Sequence, residues 1–228
     1  ALDQVSFQAH SGEVLAFLGE NGAGKSTLLK VLNGDYQPTS GKYLLDGVEK
    51  HFQSPHEAIE EGISIIYQER QILLELSVAE NIYLGRMPVN RLGFIDTRKA
   101  NEDAAKIIQD FGLPIDPTTK VKDLSIAYQQ MVEIMKAYSR ENLKVICFDE
   151  PTASLSDSEI ESLFKIIIKL KEEGKIIIYV SHRMDEIQRI TDKAAIFKDG
   201  RYVNIVETGV VPEAEMIRMM VGRNLGDI

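Results

Sequence analysis

The chain has 228 residues, 44% hydrophobic and 27% charged, with a formal net charge of −9. That is enough to bury a full core in one domain or a domain with a subdomain, and the negative balance argues against an extended nucleic-acid surface, which needs a dense basic patch. A single cysteine, Cys147 in the apolar run "VICF", excludes an internal disulfide and reads as a buried thiol in a reducing compartment, and no apolar run approaches the roughly 20 residues that cross a bilayer.

In chain order, "EVLAFLG" reads as a strand, followed by a Gly-rich turn and a helix "KSTLLKVLNG" ended by Gly34. "SGKYLLDGVEK" reads as a hairpin turning at Asp46-Gly47. "SPHEAIEEG" starts a helix with Ser54 as cap, Pro55 in first place and Glu57 closing a capping box. "GISIIYQ" is a buried strand ending at Gln68. From about Glu69 to Arg140 the strand signal vanishes and three helices follow: "SVAENIYLGR" with a capping box of Ser77 and Glu80, "DTRKANEDAAKIIQDFG" closed by Gly112, and "SIAYQQMVEIMKAYS" capped by Ser125. Strand signals resume with "LKVICFDE". After it come a helix from Ser156 to Glu173, the strand "KIIIYVSH", a hairpin around Asp199-Gly200 and a last helix "PEAEMIRMMVG". The alternation implies an α/β fold with a mostly parallel sheet, an antiparallel β subdomain, and a helical subdomain at 69–140 inserted into a core of 1–68 and 141–228.

The chemistry concentrates in a few places. "GENGAGKST" matches G-x-x-x-x-G-K-[ST] between a strand and a helix. Gly19, Glu20, Asn21, Gly22, Ala23, Gly24, Lys25, Ser26 and Thr27 are therefore the predicted phosphate cradle, a P-loop. Its glycines let the backbone wrap a phosphate chain, with amides and a helix N-terminus pointing at it. Lys25 can reach the β- and γ-phosphates, and the Ser26 hydroxyl can ligate Mg²⁺. "VICFDE" is an apolar strand ending in two acids. Asp149 is the candidate for the Mg²⁺ shell and Glu150 the candidate general base; two solvated acids at a loop are the plain alternative. Gln68 can sense the γ-phosphate or Mg²⁺, or be an ordinary loop residue. His182 can bond the γ-phosphate or the attacking water, although a lone His after a strand is usually unremarkable. His10, His51 and His56 read as surface residues, and no His/Cys metal cluster or Ser-His-Asp arrangement is suggested.

Taken in order, "GENGAGKST", "YQ", "LSIAYQQ", "VICFDEPTASLS" and "VSH" resemble the ATP-binding cassette (ABC) ATPase domain over nearly the whole chain. The resemblance implies a head-to-tail dimer of cassettes in which ATP and Mg²⁺ lie between the P-loop of one and the signature of the other. The family signature is L-S-G-G-Q. Here Leu124 and Ser125 stand, Ile126 and Ala127 replace the glycines, and Tyr128 replaces the glutamine. Ser125 caps a helix in either reading, so the anion site at that N-terminus stays physically open. After Leu155 the usual Asp is Ser156. The aromatic residue that stacks on adenine would precede Ala1.

"LSIAYQQMVEIMKAYS" and "YQERQILLELSVAENIYLGR" look like the ATPase subunits of monosaccharide ABC importers, and "MIRMMVGRNL" is similar to the end of their first half. The resemblance implies an ATP-hydrolysing importer motor on the inner face of the cell membrane. Its partners would be permease subunits, a second cassette (fused or separate) and, indirectly, a periplasmic or extracellular sugar-binding protein, with no nucleic acid. Gln68 and the segment Glu69 to Arg86 would receive the permease, with Ile72, Leu73, Leu74 and Leu76 lining a groove or forming ordinary core. The alternatives are a soluble ABC ATPase of the translation or DNA-repair type, or a regulatory cassette with weak hydrolysis. The first lacks a coiled coil and has an awkward charge. The second sits poorly with the retention of Lys25, Asp149, Glu150 and His182.

Overall fold

The computed structural model describes residues 2–221. Its strands and α-helices are β1 (Val14–Leu18), α1 (Lys25–Leu32), β2 (Tyr43–Leu45), β3 (Val48–Lys50), α2 (Pro55–Glu60), β4 (Ile63–Ile66), α3 (Val78–Ile82), α4 (Thr97–Asp110), α5 (Ile126–Tyr138), β5 (Val145–Asp149), α6 (Asp157–Glu172), β6 (Ile176–Val180), α7 (Met184–Ile190), β7 (Lys193–Lys198), β8 (Arg201–Glu207) and α8 (Glu213–Val221). They fall into two compact units. One runs to Ile65 and takes up again at Asn142–Pro151 and from Ile167; the other comprises Ile66–Glu141 and Thr152–Ile166. The first half of α6 thus groups with the helical unit, whereas the sequence reading keeps 152–166 in the core.

The six-stranded sheet has the order β4-β5-β6-β1-β7-β8. β5 runs parallel to β6, β6 to β1 and β1 to β7, and β8 closes the edge antiparallel to β7. Every residue of β1, "VLAFL", is buried, as a strand covered on both faces requires. The register sets Phe17 of β1 and Asp149 of β5 both opposite Val180 of β6. The loops after β1, β5 and β6 therefore leave the sheet at one carboxyl edge, where open α/β sheets place their ligands. Behind that edge Phe7, Phe17, Phe197 and Tyr202 pack in an edge-to-face chain, with centroids 5.3, 5.2 and 6.3 Å apart along it. Cys147 lies fully buried in this core, and burial pushes its thiol well above the usual range.

Most local signals appear where the residues place them. In the β2–β3 hairpin Asp46 and Gly47 both take positive φ, 52° and 76°, as a primed turn demands. At α2 the Ser54 hydroxyl accepts from the Glu57 amide at 3.4 Å, but the Glu57 carboxylate accepts from Gln53 at 2.8 Å, one residue earlier than a capping box predicts. In the second unit Ser77 and Glu80 form the full reciprocal box at α3, Asp96 caps α4, and Ser125 caps α5 by accepting from the Tyr128 amide. Two further features differ from the sequence reading. β4 stops at Ile66, leaving Gln68 exposed in a bend two residues on, because β4 is an edge strand with only β5 to hold it. The seven-residue α7 was not anticipated, since its N-cap Arg183 makes no side-chain cap that would announce a helix. Among the described residues no helix is long and apolar enough to cross a membrane. The family-like ending "MIRMMVGRNL" runs past residue 221, outside the described residues.

Candidate nucleotide site

The loop from Gly19 to Gly24 joins β1 to α1, and its glycines are needed for two different reasons. A Cβ on Gly19 would stand 2.5 Å from the Phe197 carbonyl oxygen and 3.0 Å from the Ala23 Cβ, so the first glycine is a packing requirement. Gly22 and Gly24 instead take φ of 83° and 101°, which a residue with a Cβ adopts only with strain. The turn between β7 and β8 braces the loop from below: the Gly200 amide donates to the Ala23 carbonyl at 3.2 Å. α1 then opens without a side-chain cap, so its first-turn amides are left to an anion.

Lys25 is buried and folds back along the loop. Its ammonium donates to the carbonyls of Gly19 at 2.6 Å and Glu20 at 3.1 Å. Burial lowers its pKa from 10.5, and the nearby charges of Glu150 and Asp149 oppose that shift. Asp149, half-buried at the end of β5, is raised from 3.8 by burial and then by Glu150, with Lys25 and Lys30 pulling the other way. Lys25, Asp149 and Glu150 therefore form one electrostatic group in the first unit. The exposed Ser26 hydroxyl and the Asp149 carboxylate are hard oxygen donors, the chemistry a Mg²⁺ ion takes.

Glu150 carries the sharpest backbone feature. It is a non-glycine residue at φ 50°, and its amide donates to the Val180 carbonyl at 2.9 Å, so the neighbouring strand fixes the unusual turn. Such strain persists where the surroundings over-determine it, and it gathers at functional sites. His182, following β6, reaches the Glu150 carboxylate with Nδ1, 2.9 Å from Oε2 and 3.1 Å from Oε1. The structure thus brings together Lys25, Asp149, Glu150 and His182 from separate loops of one unit. Gln68 and Ser125 belong to the other unit. There α5 begins with Ile126 46% exposed and Ala127 buried, so the bulkier signature residue points its side chain outward. In the segment after Gln68, Leu73 and Leu74 are exposed while Ile72 and Leu76 are half-buried. His10, His51 and His56 are all exposed.

One buried anchor beside the site escaped the sequence reading. Glu186 of α7 is 1% exposed and anchors the turn that carries His182, through Tyr179, Ser181 and Arg183. Its only sequence signal is an acid one helical turn after the Ser-His pair.

The model of the family described as "ABC transporter" matches residues 2–153. The chain is 49% identical to the arabinose import ATP-binding protein AraG of Yersinia pestis, over all of this chain and 43% of that protein. The protein of the same name from Escherichia coli O6:K15:H31 is 48% identical, over all of this chain and 45% of its own length. The chain thus spans less than half the length of these relatives. Among solved structures, an ATP-binding cassette of an ABC transporter in its ADP conformation superposes with a TM-score of 0.82 at 26% identity, covering 98% of this chain and 93% of that one. The cbiO1 protein of Clostridium perfringens, part of the ABC transporter complex cbiONQ, gives 0.79 at 28%, covering 98% and 88%. With the glycine loop, the paired acids and the histidine set on one sheet edge, and with these matches, the chain belongs to the ABC transporter family.

Proposed function

We propose that this chain is the Mg-ATP-hydrolysing motor cassette of a monosaccharide importer, of the arabinose class. The observation that carries the reading is the Glu150–His182 pair held beside Lys25 and Asp149. The relatives named for arabinose import support the substrate class, and the cassette crystallised in its ADP conformation supports the nucleotide. In this reading the loop amides and Lys25 hold the β- and γ-phosphates. Glu150 takes a proton from water, the water oxygen bonds to the γ-phosphorus, and the bond to the β–γ bridging oxygen breaks to leave ADP and phosphate. His182 orients the Glu150 carboxylate and stabilises the transferred phosphoryl group. Ser26 and Asp149 would hold Mg²⁺, which, when bound, neutralises charge gathering on the phosphate oxygens. Gln68 enters as a further oxygen ligand, and as the link to a permease, only through the family pattern. On the same pattern Ser125 completes the site of a second cassette, head to tail, and the motor works on the cytoplasmic face of the membrane under permease subunits fed by an external sugar-binding protein.

The test starts with the purified chain and its Glu150→Gln variant. Wild type should release phosphate from Mg-ATP, and the variant should bind ATP equally well yet release phosphate at least about a hundredfold more slowly. It should also shift from monomer to dimer in light scattering when Mg-ATP is added. Failure of the wild type to bind ATP, or undiminished phosphate release by the variant, would overturn the motor reading. In the source cell, Lys25→Ala should abolish uptake of labelled arabinose and spare ribose, xylose and galactose; arabinose uptake at the normal rate would remove the substrate class.

A further inference from the structure

A charge buried to 1% exposure costs several kcal/mol unless it is paired and hydrogen-bonded, so Glu186 needs a reason to be where it is. Its Oε2 accepts from the Tyr179 hydroxyl at 2.8 Å and from the Ser181 hydroxyl at 3.0 Å. The Arg183 guanidinium Nη1 lies 2.9 Å from Oε1 as a charge contact, and Oε1 has no hydrogen-bond partner among the described residues. The Ser181 hydroxyl also accepts from the Arg183 amide at 3.0 Å. One buried carboxylate therefore grips the residues immediately before and after His182, together with the strand residue two positions further back. His182 itself is exposed, 67% at its side chain, and its contact with Glu150 alone cannot set the path of the chain that carries it. The peptide on either side of it is held by Glu186.

We infer that Glu186 is a positioning residue for the hydrolytic site: it sets the turn 181–183 so that His182 Nδ1 meets the Glu150 carboxylate. The inference rests on the proposed hydrolysis and adds to it a residue that touches neither nucleotide nor water. The chemistry explains why a carboxylate and not an amide stands there. Two hydroxyls donate to Oε2 and a guanidinium charge faces Oε1, so both oxygens of Glu186 meet groups that favour a negative carboxylate. A glutamine is neutral: its NH₂ must either face the guanidinium, donor against donor, or turn the two hydroxyls from donors into acceptors and leave Arg183 without its counter-charge.

The experiment is a double-mutant cycle on Mg-ATP hydrolysis by the chain, using Glu186→Gln with and without His182→Ala and reading slow turnovers over hours. Glu186→Gln should lower kcat about tenfold or more with KM for Mg-ATP held within about twofold, and should cost no more than about twofold in the His182→Ala background. An unchanged kcat in the single variant, an equal loss in both backgrounds, or a parallel rise in KM would overturn the inference. The first two would leave the motor reading intact, because that reading stands on the wild-type rate. If Glu186→Gln does not fold, Tyr179→Phe keeps the ring and deletes one grip. It should lower kcat about threefold and lose that effect when His182 is absent; a wild-type kcat would sink the proposal.

Discussion

Glycine is irreplaceable in the loop after β1 and expendable at the start of α5, and the two places differ in what the backbone has to do. In the loop, Gly19 lies against the Phe197 carbonyl with no room for a methyl group, and Gly24 turns through φ 101° immediately before a helix. At the start of α5 the chain enters an ordinary first turn behind an extended Ser125, whose φ is −61°. No positive φ is needed there, and the side chains at the two positions have somewhere to go: Ile126 outward, Ala127 into the core. A phosphate needs only amides from such a turn, and every residue except proline has one. A residue with a Cβ can thus stand at an ordinary helix start such as that of α5, while it cannot without strain in a left-handed loop.

The largest effect that would break this comparison is expected at Gly19. Gly19→Ala drives a Cβ into main-chain atoms of β7, which cannot yield as a flexible side chain would, and should cost about 3 kcal/mol of stability, measured as a fall in the urea midpoint. ATP binding should weaken with it, because the loop moves. A variant of wild-type stability would mean that β1 and β7 can part at that edge. The reverse exchange at α5 should do much less. Ile126→Gly adds backbone freedom at the first helical position and should cost about 0.5–1 kcal/mol, while ATP affinity at this chain's own P-loop stays unchanged. A collapse comparable with that of Gly19→Ala would show that Ile126 packs in a way its exposure does not suggest.

The same contrast explains what could be read in the sequence. Left-handed turns and caps announce themselves by residue type, so the loop before α1, the Asp46-Gly47 and Asp199-Gly200 turns, and Ser77 and Ser125 at helix starts were legible. The order of the strands was not, because β1 lies between β6 and β7, more than 150 residues away in the chain. Gln68 was assigned to a strand end by its apolar run, but the length of an edge strand is set by its neighbour. Glu186 and α7 were invisible for a related reason. A buried acid on a short helix looks like a solvated one until Tyr179, Ser181 and Arg183 are seen around it. The pairing of Glu150 with His182 was likewise hidden, although each residue had been singled out separately.

The smallest expected effect is a slope, and it lies on α5, the region that gave up its glycines. Glu133 accepts from the Gln71 amide through Oε1, while its buried Oε2 has no hydrogen-bond partner among the described residues. Lys136 donates to the Gln71 carbonyl at 3.4 Å, so α5 holds both polar groups of that peptide, three residues past Gln68. Burial raises the Glu133 carboxyl above its ordinary 4.5, against the Gln71 amide and the charges of Lys136 and Arg70. The folded chain therefore keeps a proton that the unfolded chain has already lost. Between 4.5 and the raised folded value the unfolded state binds fewer protons, so this group makes stability fall as pH rises, and its contribution is level beyond. Glu133→Gln keeps an acceptor for the Gln71 amide and cannot ionise. Relative to wild type its urea midpoint should therefore climb as the pH is taken from about 4 upward and then run parallel. Parallel curves from the start would mean that Oε2 finds a partner in solution. The Glu133 carboxyl would then lose its proton at the same pH folded or unfolded, and α5 would hold Gln71 as firmly at neutral pH as in acid.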